Sequence, residues 1–276
     1  MPVQANTHFC SPTPKTGLTM RKIISGVLLI TAICFFCACD CEKGSGNIIT
    51  ETRNFDYFDK LQLQGDYTVY LYEDTIASLT IEADDNIMPL VDTYLTTDNR
   101  LIVETDKCIR KHHEIVLTIA MPKLSELRID GSADVNAASD FETQQLLLES
   151  YGSGNIKLNG VIATIVSIDI KGSGDVRIDE LNTQSLDVEI TGSGNVDVRG
   201  FTDLFDIDIY GSGNVYAYYL DAGNCDINIS GTGNCEVNVS GNLDVHITGS
   251  GNVYYRGNPS SVEVFITGTG AVYDAG

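Results

Sequence analysis

Between residues 146 and 272 apolar and polar residues alternate in short runs, and the alternation restarts about every twenty residues. Alternation with a period of two is strand geometry, one face inward and one outward. Each run is tied to a Gly-Ser/Thr-Gly-Asn/Asp step or a near copy, starting at Gly131, Gly152, Gly172, Gly192, Gly211, Gly231, Gly249 and Gly268. Counted from the first glycine, one parity is apolar in every copy. Six residues before it stand Leu146, Val166, Leu186, Phe205, Cys225, Leu243 and Val262; four before stand Leu148, Ile168, Val188, Ile207, Ile227, Val245 and Val264. Two before stand Ser150, Ile170, Ile190, Ile209, Ile229, Ile247 and Ile266, and four after stand Ile156, Val176, Val196, Val215, Cys235, Val253 and Val272. The predicted elements are strands on both sides of a glycine corner, and a fixed period of this length is one coil of an all-β parallel solenoid. The intervals Gly192 to Gly211 and Gly249 to Gly268 shift the numbering by one, yet the apolar parity shifts with the motif. A residue lost in an exposed turn explains this; chance alternation does not.

The motif glycines share the inward parity, so the missing side chains are expected to let the coil narrow or bend at the corner. The residue after the second glycine has the outward parity. Stacked at a strand spacing of about 4.8 Å, Asn155, Asp175, Asn195, Asn214, Asn234 and Asn252 are expected to form a ladder between coils.

Before Gly131 the period is lost. Leu61–Leu63, Tyr67–Leu71, Leu79–Ile81, Leu101–Val103 and Ile115–Ile119 still read as strands separated by turn residues, Met88–Val91 reads as a short helical turn, and no long amphipathic helix is present. A solenoid needs its first coil covered, and residues 55–125 are placed to do it. Gly44-Ser45-Gly46-Asn47 has no strand before it and reads as linker or a first coil. Residues 126–276 are the repetitive coils, and 55–276 is expected to be one structural domain.

The N-terminus changes the picture of where this domain sits. Met20-Arg21-Lys22 precedes an apolar run from Ile23 to Phe36, too short to span a membrane comfortably and shaped like an export signal. Cys39 follows the small residue Ala38, as in a bacterial lipoprotein, whereas Cys34 and Cys37 follow bulky Ile33 and Phe36. The expectation is a signal region over 1–38, with Met20 the true start and 1–19 outside it, then a lipid on Cys39 and a linker over 39–54. Lipidation implies a membrane partner through the anchor and an outer-membrane location, its face left open.

All 38 acidic residues lie after Cys39, so the exported part is more negative than the chain's formal −21. Such a surface repels nucleic acid and anionic head groups and leaves cations or neutral glycans as partners. Cys41, Cys108, Cys225 and Cys235 lack zinc spacing and are too few for a disulfide scaffold, so free cysteines are expected, the last two as small core hydrophobes.

Candidate chemistry lies in the outward columns. Asp187, Asp206, Asp226, Asp244 and Glu263 stand five before the motif, and Asp169, Glu189 and Asp208 three before. Stacked carboxylates repel, raise one another's pKa or recruit a cation such as Ca²⁺. A solvated acidic face is the plainer alternative, and no metal or cofactor site is assigned. Tyr210, Tyr216, Tyr218 and Tyr254 also point outward, where rings can stack on sugars or meet a protein, or simply serve as good strand formers. No catalytic residues are assigned. His112-His113 sit in a Lys-rich turn, His246 has no nucleophile near it, and a corner repeated eight times is not eight active sites.

The strand-rich segment from Phe55 to Leu124, the Met121-Pro122-Lys123-Leu124 step and the Gly-Ser-Gly-Asn/Asp coils resemble the putative auto-transporter adhesin, head GIN domain family. The resemblance implies an exported, often lipid-anchored, single-stranded right-handed β-helix, the hand expected of parallel crossovers. It carries no catalytic residues across. Ala133 and Ala271 depart from the pattern in the first and last copies. Three functions stay open: a non-enzymatic adhesin or binding surface for a glycan or cell-surface protein, a structural or envelope-assembly spacer that oligomerises, and a polysaccharide-active β-helix enzyme.

Overall fold

The structure, a computed structural model, describes residues 41–276 except residue 106. The signal region and Cys39 lie outside the described residues. Four long strands, Ile156–Ile170, Val176–Ile190, Val196–Ile209 and Val215–Ile229, form the middle of the stack. Each bends around most of one coil and pairs in parallel with the next, so Leu186 lies on Val166 and Phe205 on Leu186. Toward the C-terminus the coils continue as Cys235–Val239 with Asn242–Gly249, then Asn252–Gly257 with Ser261–Gly268, then Ala271–Asp274. The architecture is the parallel β-solenoid that the alternation predicts.

The apolar columns are buried from Leu146 through Leu243, Leu148 through Val245, Ile170 through Ile247 and Ile156 through Val253. Cys225 and Cys235 are buried free thiols in those columns, and burial pushes both pKa values up, as for small hydrophobes. The columns end differently from the expectation. In the last coil Val262, Val264 and Ile266 are exposed, Val264 at 46%, because no strand in the described chain lies on the outer edge of Ser261–Gly268.

The glycines have a sharper reason than their parity suggested. A Cβ on Gly172 would stand 2.0 Å from the carbonyl oxygen of Gly152 in the coil below, and one on Gly174 2.0 Å from that of Gly154. The first glycine is half-buried and aims along the stack, at backbone, instead of into the core. The same carbonyls hold the corner together. Gly152 O accepts from Ser173 N at 2.8 Å and Gly174 N at 3.3 Å, and Gly172 O accepts from Ser193 and Gly194 in the same way.

A second corner column escaped the sequence reading. Thr183 and Thr202 are buried, and each hydroxyl donates to the carbonyl two residues on, at Ser185 (3.0 Å) and Leu204 (2.8 Å). Thr143 makes the same bond to Gln145. The bond satisfies a hydroxyl that burial removes from water. The residue missing between Gly192 and Gly211 is lost nearby, where Asp179-Glu180 becomes Arg199 alone.

Residues 55–125 do more than cover an end. Lys60–Gln64 and Thr68–Glu73 form a parallel coil under Glu126–Ile129 and Asp134–Glu142. Their other edges pair in parallel with Arg100–Thr105 and Val116–Met121, so the spatial order of the first coils is not the chain order. Closure comes from a change of direction. Val91–Leu95 runs antiparallel on Arg100–Thr105, Ser78–Asp84 on Val116–Met121, and Ile48–Asn54 on Ser78–Asp84. The helical turn is present as a 3₁₀ turn over Met88–Leu90.

The expectation of four free cysteines is wrong for two of them. Cys41 and Cys108 form a disulfide across a sequence separation of 67 residues. They meet because Glu42–Lys43 pairs in parallel with Ile109–Arg110, a contact that no local spacing announces. Gly44-Ser45-Gly46-Asn47 then wraps the turn at Asp84. The buried Asp84 carboxylate accepts from Gly46 N (2.6 Å) and His113 N (2.9 Å). Burial alone would raise its pKa, but these bonds from His113 and Gly46 hold it below the ordinary value.

Candidate aromatic face beside the glycine corner

The glycine corner separates two strands of each coil, and their outward residues differ in kind. On the strand before the corner, Asp187, Asp206, Asp226, Asp244 and Glu263 lie in direct register. Beside them run Asp169, Glu189 and Asp208, a column that continues as Asn228, His246 and Phe265. Partial burial, then the neighbouring carboxylates, raise the pKa values of Asp187 and Asp206. Asp169 bonds Lys171 through Oδ2 while its buried Oδ1 has no partner among the described residues. No group of three or more His, Cys, Asp or Glu side chains among the described residues is placed to hold a metal ion. The carboxylates run along the stack and do not close around a point.

At the corner itself the Asn/Asp residues hydrogen-bond coil to coil. Asn155 Nδ2 donates to Asp134 Oδ1 at 2.7 Å, and Asp175 N to Asn155 Oδ1 at 2.9 Å. Asn195 donates both its backbone N (2.8 Å) and Nδ2 (2.9 Å) to Asp175 Oδ1. Asn214, Asn234 and Asn252 each repeat that pair of bonds to the residue below. Every position needs an acceptor facing up, which Asp and Asn both supply. Ala271 donates its N–H to Asn252 and offers no acceptor onward.

After the corner the column reads Lys157, Arg177, Asp197, Tyr216, Glu236, Tyr254 and Tyr273. Opposite charges pair here both between and within coils: Arg177 reaches Asp197 of the next coil at 3.0 Å and Asp179 of its own at 2.6 Å, and Arg199 reaches Asp197 of its own coil at 3.4 Å. Farther along, the rings gather. Tyr254 and Tyr273 stack with centroids 5.1 Å apart and planes at 16°. The Arg256 guanidinium lies 4.0 Å from the centroid of Tyr218, and Arg199 lies 5.5 Å from that of Tyr219.

A bulge creates part of this cluster. Ala217 pairs with Val237 and Asp221 with Asn238, so Tyr218, Tyr219 and Leu220 have no counterparts in the next coil. Leu220 turns into the core and Tyr219 is pushed out, 71% exposed. Of the four tyrosines expected to form a patch, Tyr216, Tyr218 and Tyr254 share this face, while Tyr210 stands before the corner. Tyr219 and Tyr273 were missed. Tyr273 stands five after Gly268 as Tyr254 does after Gly249, so column counting could have found it; Tyr219 is hidden because the bulge breaks the count.

The broader concavities lie elsewhere. One of about 400 Å³ sits near the threonine corner, lined by Asp140, Gly160, Ile162, Asp179, Glu180 and Asn182. It holds carboxylates but no ring.

A family model described as "Putative auto-transporter adhesin, head GIN domain" matches residues 57–178 and 159–259. No curated protein matches the chain. Among solved structures, a putative adhesin from Parabacteroides distasonis is 20% identical with TM-score 0.77, the match covering 85% of this chain and 99% of that one. A protein from the same organism described as a putative lipid binding protein is 22% identical with TM-score 0.78 over 85% and 99%. A putative adhesin from Bacteroides fragilis is 25% identical with TM-score 0.66 over 84% and 98%.

Proposed function

The chain belongs to the putative auto-transporter adhesin, head GIN domain family, and from that membership we propose an exported, cell-surface binding protein that presents the aromatic face after the glycine corner to a glycan or a surface protein. In this reading it acts without catalysis, held to the outer membrane by a lipid on Cys39. The observation that carries it is the gathering of Tyr216, Tyr218, Tyr219, Tyr254 and Tyr273 on one face of an otherwise acidic solenoid. Exposed rings with polar tips suit sugar faces and protein contacts, and they are costly to leave in water for solubility alone.

Screening the full chain against immobilised glycans tests this directly. Binding that disappears in the Tyr216→Ala/Tyr218→Ala variant supports the aromatic surface; binding that survives removes it. Mass spectrometry of the mature N-terminus tests the anchor, with a diacylglyceryl group on Cys39 expected and an unmodified cysteine contradicting it.

One observation favours a second reading, an oligomerising spacer. Ser261–Gly268 shows its apolar residues and an edge that no strand among the described residues pairs, the feature that sheets use to pair with another chain. Sedimentation of the full chain distinguishes the two: a stable oligomer with no glycan bound favours the spacer.

A further inference from the structure

We propose that the aromatic face contains a subsite for the carboxylate of an acidic sugar residue, formed by Arg256 on Tyr218 beside the stacked Tyr254 and Tyr273. This rests on the glycan-binding reading of that face. Residues 126–276 contain six cationic side chains: Arg128, Lys157, Lys171, Arg177, Arg199 and Arg256. The first five lie within 4.0 Å of a carboxylate. Arg256 does not, among the described residues; its partner is the Tyr218 ring at 4.0 Å. It is also exposed. In a chain with 38 acidic side chains and a net −21, an arginine without a carboxylate of the chain's own is open to one from outside.

The geometry suits a forked contact. Stacking against a ring restrains the guanidinium plane and leaves its N–H edge available, the pre-organisation that bidentate carboxylate recognition uses. Tyr254 stands two residues earlier on the same strand, so it projects to the same side. Its ring, continued by Tyr273, offers an apolar platform next to the cation. A uronate residue presents that pair of features, an apolar ring face and a carboxylate at the ring's edge. An acidic peptide supplies the charge without a ring face, which is why the glycan is preferred. The chain's overall negative charge opposes an anion only weakly at contact, since charges beyond about 8 Å are screened at physiological salt. Glu236 opposes it most directly, being in register between Tyr216 and Tyr254.

The experiment is calorimetric titration of the full chain with a galacturonate oligosaccharide and with its uncharged methyl ester, at physiological salt. The acid form is expected to bind tighter than the ester. Arg256→Ala should weaken the acid form about tenfold or more and leave the ester unchanged, with Arg256→Lys in between because it keeps the charge and loses the fork. Glu236→Gln should tighten the acid form a few-fold and not affect the ester, a gain that no folding defect can mimic. Circular dichroism and melting checks each variant's fold. If both forms bind alike, ignore Arg256→Ala and vanish with Tyr254→Ala, the subsite is wrong and the glycan surface stands. If neither form binds, or polyglutamate binds more tightly than both, this proposal is overturned.

Discussion

The strands before and after the glycine corner share one backbone ladder and one register, yet they carry opposite surfaces. Before it, a column keeps its chemistry from coil to coil, so Asp187, Asp206, Asp226 and Asp244 repel along the stack. After it, the column mixes cations, carboxylates and rings, so Arg177 pairs with Asp197, Tyr254 stacks on Tyr273 and Arg256 lies on Tyr218. A parallel in-register solenoid turns every sequence column into a line of contacts, so a uniform charged column costs stability and a mixed one adds it. In the proposed reading the acidic strand serves solubility and the mixed strand recognises.

Changes that cannot tell the two faces apart should have the largest effect. Gly172→Ala drives a Cβ against Gly152 O and is expected to cost about 3 kcal/mol or more, seen as loss of the cooperative melt, with both faces lost together. Breaking the ladder between the faces is next. Asn214→Ala removes the acceptor of two bonds from Asn234 and one donor to Asn195, an expected loss of about 1–3 kcal/mol by urea denaturation.

Substitutions on single faces should then separate stability from binding. Asp206→Asn relieves repulsion from Asp187 and Asp226 and is expected to stabilise by roughly 0.2–1 kcal/mol at neutral pH, discounted toward the low end because the site is exposed. Tyr273→Ala unstacks Tyr254 at an exposed site and should change stability by about 0.5 kcal/mol or less while weakening ligand binding.

Acid titration sharpens the same contrast. The folded pKa of Asp187 and Asp206 is raised, so the native state holds protons more tightly than the unfolded chain. Their contribution is therefore fully present below the ordinary carboxylate value of 3.8 and is lost as pH rises through the raised folded values. Asp84, lowered by the bonds that hold the linker, runs the other way: its contribution is present above 3.8 and lost as pH falls through its folded value. Hydrogen exchange during acidification below pH 3.8 should show the end around Asp84 loosening before the coils near Asp206 do.

Much of the stack was legible because its information is periodic. The core columns and the Asn/Asp ladder follow from counting to the nearest glycine, whereas the residue expected to be lost in a turn is lost at a register shift within the strands. What was not legible depends on chain passing chain. Gly172 is glycine because a carbonyl twenty residues earlier lies where a Cβ would be. Cys41 meets Cys108 because Glu42–Lys43 finds Ile109–Arg110, and the first coils stack out of chain order. Tyr219 is on the surface because a bulge resets the parity that placed its neighbours. Arg256 had no signal at all, since its distinction is that no carboxylate among the described residues pairs with it.

On the proposed reading, recognition belongs to the strand after the corner. The most direct test is one glycan-binding profile recorded side by side for the native chain, Tyr216→Ala/Tyr254→Ala and Asp206→Asn/Asp226→Asn. The tyrosine variant is expected to lose its ligands at least tenfold while the aspartate variant keeps them. Loss in the aspartate variant with retention in the tyrosine variant would contradict it and move the binding surface to the acidic strand.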